Sequence, residues 1–262
     1  MLILGIVMLN CSFLNSSEYT KEASYPFIGA DMQWVDSVFN TMTLDEKIGQ
    51  LFMVAAYSDP KQDNEEAVKK LITESHIGGV IFFKGSPIRQ AQMTNTFQSL
   101  AKIPLSVAID GEWGLAMRLD STIAFPRQLQ LGAIEKKNEY LIEEMGREVG
   151  RECERIGIHI NFAPVVDINN NPQNPVINTR SFGEEKENVA RKSLLYMKGM
   201  QSHYILTTAK HFPGHGNTAS DSHYTLPLIK GTKDEIDKFE LYPFKQLIKN
   251  YLTGVMIAHL NV

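Results

Sequence analysis

The chain has 262 residues, 43% hydrophobic, 21% charged and 9% aromatic, a composition that supports a buried core and argues against default disorder. Its formal net charge of -4 leaves no basic excess to neutralise a phosphate backbone. Lys and Arg are scattered rather than clustered, so nucleic acid is not an expected partner.

The N-terminus reads MLILGIVMLNCSFLNSSEYT. Its apolar run of about ten residues is too short to span a bilayer and matches the core of an export signal, although the usual basic region before it is missing. Cys11 is a candidate for lipid attachment, with Asn10 a poor fit just before it. Residues 1–25 are therefore expected to be an export signal or lipoprotein leader with its linker, and residues 26–262 the folded domain. That implies an exported protein, periplasmic or anchored at the outer membrane, with no stable membrane span. The alternative is a cytoplasmic protein with a buried N-terminal segment. Cys153 lies in a helix-like segment, so no bridge to Cys11 is expected, and neither cysteine has metal-ligand spacing.

Further along, short apolar runs alternate with longer amphipathic ones. QLFMVAAY (50–57), GGVIFFK (78–84), IPLSVAID (103–110), IHINFAPVVDI (158–168), ILTTAKHF (205–212) and TGVMIAHLNV (253–262) read as buried strands. Between them, NEEAVKKLITES, SPIRQAQMTNTFQSLA, NEYLIEEMGREVGRECERIG, EEKENVARKSLLYMKGMQ and KDEIDKFELYPFKQLIKN read as helices, and 31–49 as another. Such alternation indicates a parallel sheet covered by helices, either an open doubly wound sheet or a closed barrel. Asp110, Asp167, Lys210, His211 and His259 fall at or near the C-terminal ends of different strands, where a barrel gathers its active site. The first strand–helix connection also lacks a glycine-rich nucleotide loop. The expected fold is an α/β protein, a (β/α)8 TIM-type barrel truncated after about six βα units.

Residues 210–223, KHFPGHGNTASDSH, concentrate three of the seven histidines. A metal site would use His211, His215, Asp221 and His223, but Pro213 and Gly214 break the helix that gives an H-x-x-x-H spacing its geometry. A solvated polar loop is the bland alternative. An acid/base site accounts for more of the residues together. Lys210 and His211 close the fifth strand, and Asp221 can fix the tautomer of His223 and raise its basicity, so that the pair transfers protons near neutrality. No metal and no other cofactor is expected.

This stretch resembles the K-H-[FI]-P-G-H-G-x4-D-[ST]-H signature of glycoside hydrolase family 3 β-N-acetylglucosaminidases. IDGEWGLAMRLD is similar to the family's D-x-E loop after the third strand, NFAPVVDIN to its fourth strand, and NTRSFGE (178–184) to its R-S-F-G segment. The resemblance runs from about residue 42, at MTLDEKIGQLFMV, to the end. It implies retaining hydrolysis of a terminal β-linked N-acetylglucosamine, with His223 as general acid/base and Asp221 as its partner. It also carries substrate-holding roles to Asp110, Arg118, Arg180, Lys210 and His211; for Asp167, orienting its neighbours and touching sugar stay open alike. The implied partner is a carbohydrate containing N-acetylglucosamine, such as a peptidoglycan fragment bearing anhydro-muramic acid met during wall recycling. Chitin-derived oligomers compete with it.

Two departures stand out. Where many relatives carry G-G-R, this chain has Trp113-Gly114-Leu115, a form that resembles Bacteroidetes-type members; a basic group is absent and an aromatic face is gained. The family's attacking Asp follows the seventh strand, beyond residue 262, so this fragment alone is expected to be inactive. A histidine donor tolerates an approaching anion that a carboxylate would repel, which keeps open a phosphorylase as the alternative enzyme. A non-catalytic sugar-binding protein is the alternative from another class.

Overall fold

A computed structural model describes residues 32–218, 227–229 and 231–261. The expected leader at 1–25, with Cys11, lies outside the described residues.

Six strands are described: β1 (Met53–Ser58), β2 (Gly79–Gly85), β3 (Ser106–Ile109), β4 (Ile160–Asn161), β5 (Leu206–Phe212) and β6 (Gly254–Ile257). They pair in parallel in the order β1-β2-β3-β4-β5-β6, with registers such as Val80↔Val107, Ile109↔Asn161 and Ala209↔Val255. An open doubly wound sheet reverses its strand order at a switch point. This one advances steadily in one direction, as a barrel does, and the fold is of the expected barrel type. β1 and β6 are its two edges among the described residues, and β6 exposes Val255 (40%) and Ile257 (76%).

Helices cover the outside: α1 (Gln33–Thr41), α2 (Leu44–Gly49), α3 (Glu65–Ser75), α4 (Pro87–Leu100), α5 (Gln128–Gly132), α6 (Tyr140–Arg155), α7 (Lys186–Gln201), α8 (Lys233–Lys238) and α9 (Leu241–Ile248). Local chemistry sets their ends. Ser86 caps α4 by accepting from Arg89 N–H at 3.2 Å, with Pro87 at the first helical position, where no N–H is needed. On α6, Ile142, Met145, Val149 and Cys153 recur at helical spacing and all are buried in the main core. α6 meets α7 through glycines: a Cβ at Gly199 would stand 2.2 Å from the Glu143 carbonyl, and one at Gly146 would stand 2.4 Å from that of Tyr196. The main core includes Phe82, Phe97, Ile109, Ile142 and Tyr196, each contributing roughly 1.5–3 kcal/mol of apolar burial.

Three elements differ from the sequence reading. The 158–168 run is not one strand: only Ile160–Asn161 join the ladder, because Pro164 has no N–H to give. The chain instead runs beside β5, where Pro164 O accepts from Lys210 N–H (3.2 Å) and Val166 N–H donates to Lys210 O (2.9 Å). Asp167 is thereby carried past the strand end. The 31–49 helix divides at Thr43, which starts α2 with a capping box to Glu46. The helix expected over 233–250 breaks at Phe239–Glu240, with Pro243 in the first turn of α9, where it is tolerated.

Candidate active site

β3 ends at Ile109, so Asp110 and Glu112 leave the sheet at its C-terminal face. The turn between them is pinned from below. Asn161 Oδ1 accepts from Gly111 N–H (2.9 Å), while its Nδ2 (3.2 Å) and the Tyr196 hydroxyl (3.1 Å) donate to Gly111 O. Lys210, near the end of β5, then reaches across. Its Nζ donates to Asp110 Oδ1 at 2.9 Å and stands 2.8 Å from Glu112 Oε1. Arg118 takes the other Asp110 oxygen at 2.7 Å. Arg180, from the loop after β4, holds Glu112 with Nε (2.8 Å) and Nη2 (2.7 Å).

Electrostatics keep these acids ionised. Burial alone would raise the Glu112 carboxyl, but Lys210 and the paired bonds from Arg180 hold it down at about 2. Burial also opposes ionisation of Asp110, yet Lys210 and then Arg118 bring it below the usual range. Arg118 is itself seated with its guanidinium 4.6 Å from the Phe83 ring centroid.

Asp167 organises the next loop. It is buried, and it accepts from His211 N–H (3.2 Å), His211 Nδ1 (2.7 Å) and His215 N–H (2.7 Å). Burial works against its charge, but His211 and these N–H groups lower it below the usual carboxylate range. On the far side of the ring, Arg180 Nη2 donates to His211 Nε2 at 3.2 Å. A guanidinium has only N–H to offer, so Nε2 accepts and the ring proton sits on Nδ1. In this arrangement the ring N–H of His211 faces Asp167 rather than a ligand.

Buried Asn174 clamps the same loop. Its Nδ2 donates to the carbonyls of His215 (2.7 Å) and Gly216 (3.1 Å), and its Oδ1 accepts from Val176 and Ile177 N–H (2.9 and 2.7 Å). Gly216 is required by contact: a Cβ there would sit 1.8 Å from Ile168 O. Thr218 Oγ1 lies 2.7 Å from His215 Nδ1, leaving buried Nε2 without a partner among the described residues.

The structure thus brings together Asp110, Arg118, Arg180, Lys210 and His211. Asp221 and His223 lie outside the described residues. The sequence reading held Glu112 only as the acid of the D-x-E loop, without a role of its own, and passed over Asn174. The signal for Glu112 was available in the spacing of Asp110 and Glu112 at a strand end; Asn174 had none beyond an Asn-rich loop. Among the described residues no three His, Cys, Asp or Glu side chains gather to hold a metal. No described helix is long and apolar enough to cross a membrane.

Residues 43–262 match the family model described as the glycosyl hydrolase family 3 N terminal domain. A β-hexosaminidase A of Pseudoalteromonas piscicida is 37% identical over 206 residues, 74% of this chain and 34% of that protein. Among solved structures, a β-N-acetylglucosaminidase of the same family from Paenibacillus superposes with a TM-score of 0.74 at 36% identity, covering 84% of this chain and 43% of that one. A β-glucoside phosphorylase, BglX, superposes with a TM-score of 0.80 at 25% identity, covering 86% and 40%. The chain therefore spans between about a third and a half of the length of these relatives.

Proposed function

Because the chain belongs to glycoside hydrolase family 3 through its N-terminal domain, we propose that the whole protein is a retaining exo-β-N-acetylglucosaminidase. The supporting observation is the ionised Asp110, held at the barrel mouth by Lys210 and Arg118. A carboxylate fixed there accepts from sugar hydroxyls, and the N–H groups of Lys210 and Arg180 not aimed at carboxylates donate to them. Such a pocket takes a terminal sugar inward and leaves its leaving group facing solvent.

In this reading His223, oriented by Asp221, protonates the departing oxygen and later removes a proton from water. A second carboxylate attacks the anomeric carbon to form the covalent intermediate. Family resemblance assigns that group to the segment after the seventh strand, beyond residue 262, so residues 1–262 alone are proposed to be inactive. The substrate is a carbohydrate ending in N-acetylglucosamine, with a peptidoglycan fragment as the favoured source and chitin oligomers as the competitor. Export of the protein, with or without a lipid on Cys11, would place it where such fragments arise.

Likeness to a phosphorylase supports a second reading in which phosphate resolves the intermediate. The described cluster weighs against it. Asp110 and Glu112 engage Arg118, Arg180 and Lys210, and Asp167 pairs with His211, so within this cluster no cation is left without a carboxylate to draw in a phosphate.

The test is release of 4-nitrophenol from its β-N-acetylglucosaminide by the full-length gene product and by His223→Ala, with and without phosphate. Turnover that collapses in the variant supports the hydrolase, and acceleration by phosphate moves the assignment to phosphorylase. A folded protein silent on this and related β-glycosides overturns both and leaves sugar binding without catalysis.

A further inference from the structure

The loop that carries Asp110 and Glu112 holds a second constellation outside the charge cluster. Trp113, half-buried, directly follows Glu112, and the Arg127 guanidinium lies 3.9 Å from its ring centroid. Two bonds fix this pairing. Phe125 N–H donates to Trp113 O at 3.3 Å, and the buried side chain of Gln128 donates to Glu112 O. Arg127 is thus tethered, through its neighbours on both sides, to the backbone beside the most buried carboxylate of the cluster. Gly114 allows the close fit, since a Cβ there would stand 2.7 Å from the Phe125 ring.

Arg127 differs from the cations deeper in. Arg118, Arg180 and Lys210 are all engaged by carboxylates, whereas Arg127 is exposed and has no acidic partner among the described residues. A guanidinium this close to an indole is held by cation–π attraction, and its exposed N–H donors remain available to an anion. Trp113 belongs to the loop that leaves the C-terminal end of β3, so an exposed guanidinium resting on it borders the mouth, where a pocket that takes the terminal sugar inward presents the leaving group.

We propose that Trp113 and Arg127 form a leaving-group subsite that selects glycosides whose aglycone carries a carboxylate. This rests on the glycosidase reading and deepens it. Trp113 supplies an apolar platform and holds the guanidinium in place, while Arg127 supplies the charge. A subsite of this kind acts on which glycoside is cleaved rather than on bond breaking itself.

The experiment uses the full-length protein and two nearly isosteric substrates, the 4-carboxyphenyl and 4-carbamoylphenyl β-N-acetylglucosaminides. The readout is the ratio of their kcat/KM values in the wild type divided by that ratio in Arg127→Gln, so that leaving-group chemistry cancels. A partly exposed pair predicts a quotient of about five at low salt, shrinking toward one in 1 M NaCl. Arg127→Lys should keep part of the preference, because charge remains while the guanidinium fork is lost. Trp113→Leu should lose most of it, with unchanged thermal unfolding showing an intact fold.

A quotient of one, with both glycosides turned over, overturns the inference and leaves the glycosidase reading standing. Silence on both substrates overturns the glycosidase reading and the inference with it. Inorganic phosphate is the other source of an anionic contact. A phosphate effect on rate that vanishes in Arg127→Gln, with no preference between the glycosides, reassigns the guanidinium to a free anion and overturns the aglycone assignment.

Discussion

Arg180 closes on Glu112 with two N–H···O bonds of 2.8 and 2.7 Å, and the carboxylate it grips is completely buried. Lys210 stands on the same carboxylate at 2.8 Å, so Glu112 joins the β3 loop to β5 and to the loop after β4. Replacing it with an isosteric amide leaves two cations facing one fewer charge in a site with little solvent to compensate. Glu112→Gln is expected to destabilise the protein by about 3 kcal/mol, read as a lower urea midpoint. An unchanged midpoint would show that the contact carries no net stability.

The same carboxylate predicts how stability responds to acid. Its folded value, about 2, lies below the ordinary Glu value of 4.5, so its contribution is fully present above 4.5 and drains away as pH falls toward 2. The difference corresponds to about 3 kcal/mol. His215 adds an earlier step: burial depresses it below 6.5, so the unfolded chain takes up a proton first and stability begins to fall as pH drops through 6.5. Urea midpoints measured from pH 8 to pH 3 should therefore fall in two stages, and His215→Gln should shrink the upper one to the share of His159, which burial also depresses. A single stage confined below pH 4.5 would rule out the histidine's part.

How much of this was legible follows from what each residue's signal depends on. Strand ends are local: Asp110 and Lys210 each close an apolar run, so their place at the barrel mouth could be read from the chain. Pairing is not. Glu112 and Arg180 are 68 residues apart, and nothing in either segment names the other as partner. The tautomer of His211 depends on Arg180 on one side and Asp167 on the other, contacts that exist only once two loops converge. The break in the 158–168 run was signalled by Pro164, but its consequence, a displaced Asp167 caught between two histidine backbones, needed the neighbouring strand.

Asn174 provides a test of how rigid the histidine-bearing loop must be. One buried amide serves two carbonyls of the 215–216 turn and two N–H groups of its own loop. Asn174→Ala leaves those groups buried and unpaired, at an expected cost of about 2 kcal/mol in stability. Asn174→Asp retains the acceptor but turns a lone pair on the carbonyls, and should be at least as harmful. If the loop must be held for catalysis, kcat falls in both variants while KM changes little. Loss of stability with kcat intact would confine Asn174 to a structural role.

Asp167 sets the chemical identity of the His211 ring. As a carboxylate it accepts from the ring Nδ1–H and from the His215 backbone together. An amide has one oxygen, so Asp167→Asn must turn its NH2 toward one of these donors. The backbone N–H cannot become an acceptor, whereas the ring can, by moving its proton to Nε2. That proton then meets the Arg180 N–H now 3.2 Å from Nε2, two donors face each other, and the guanidinium is pushed off the ring. Asp167→Asn is thus expected to lower kcat/KM of the full-length protein by about a hundredfold, equivalent to about 3 kcal/mol, with nitrogen NMR of the imidazole reporting the changed tautomer. A variant that keeps the Nδ1–H form and its activity would mean that the ring is oriented by Arg180 alone.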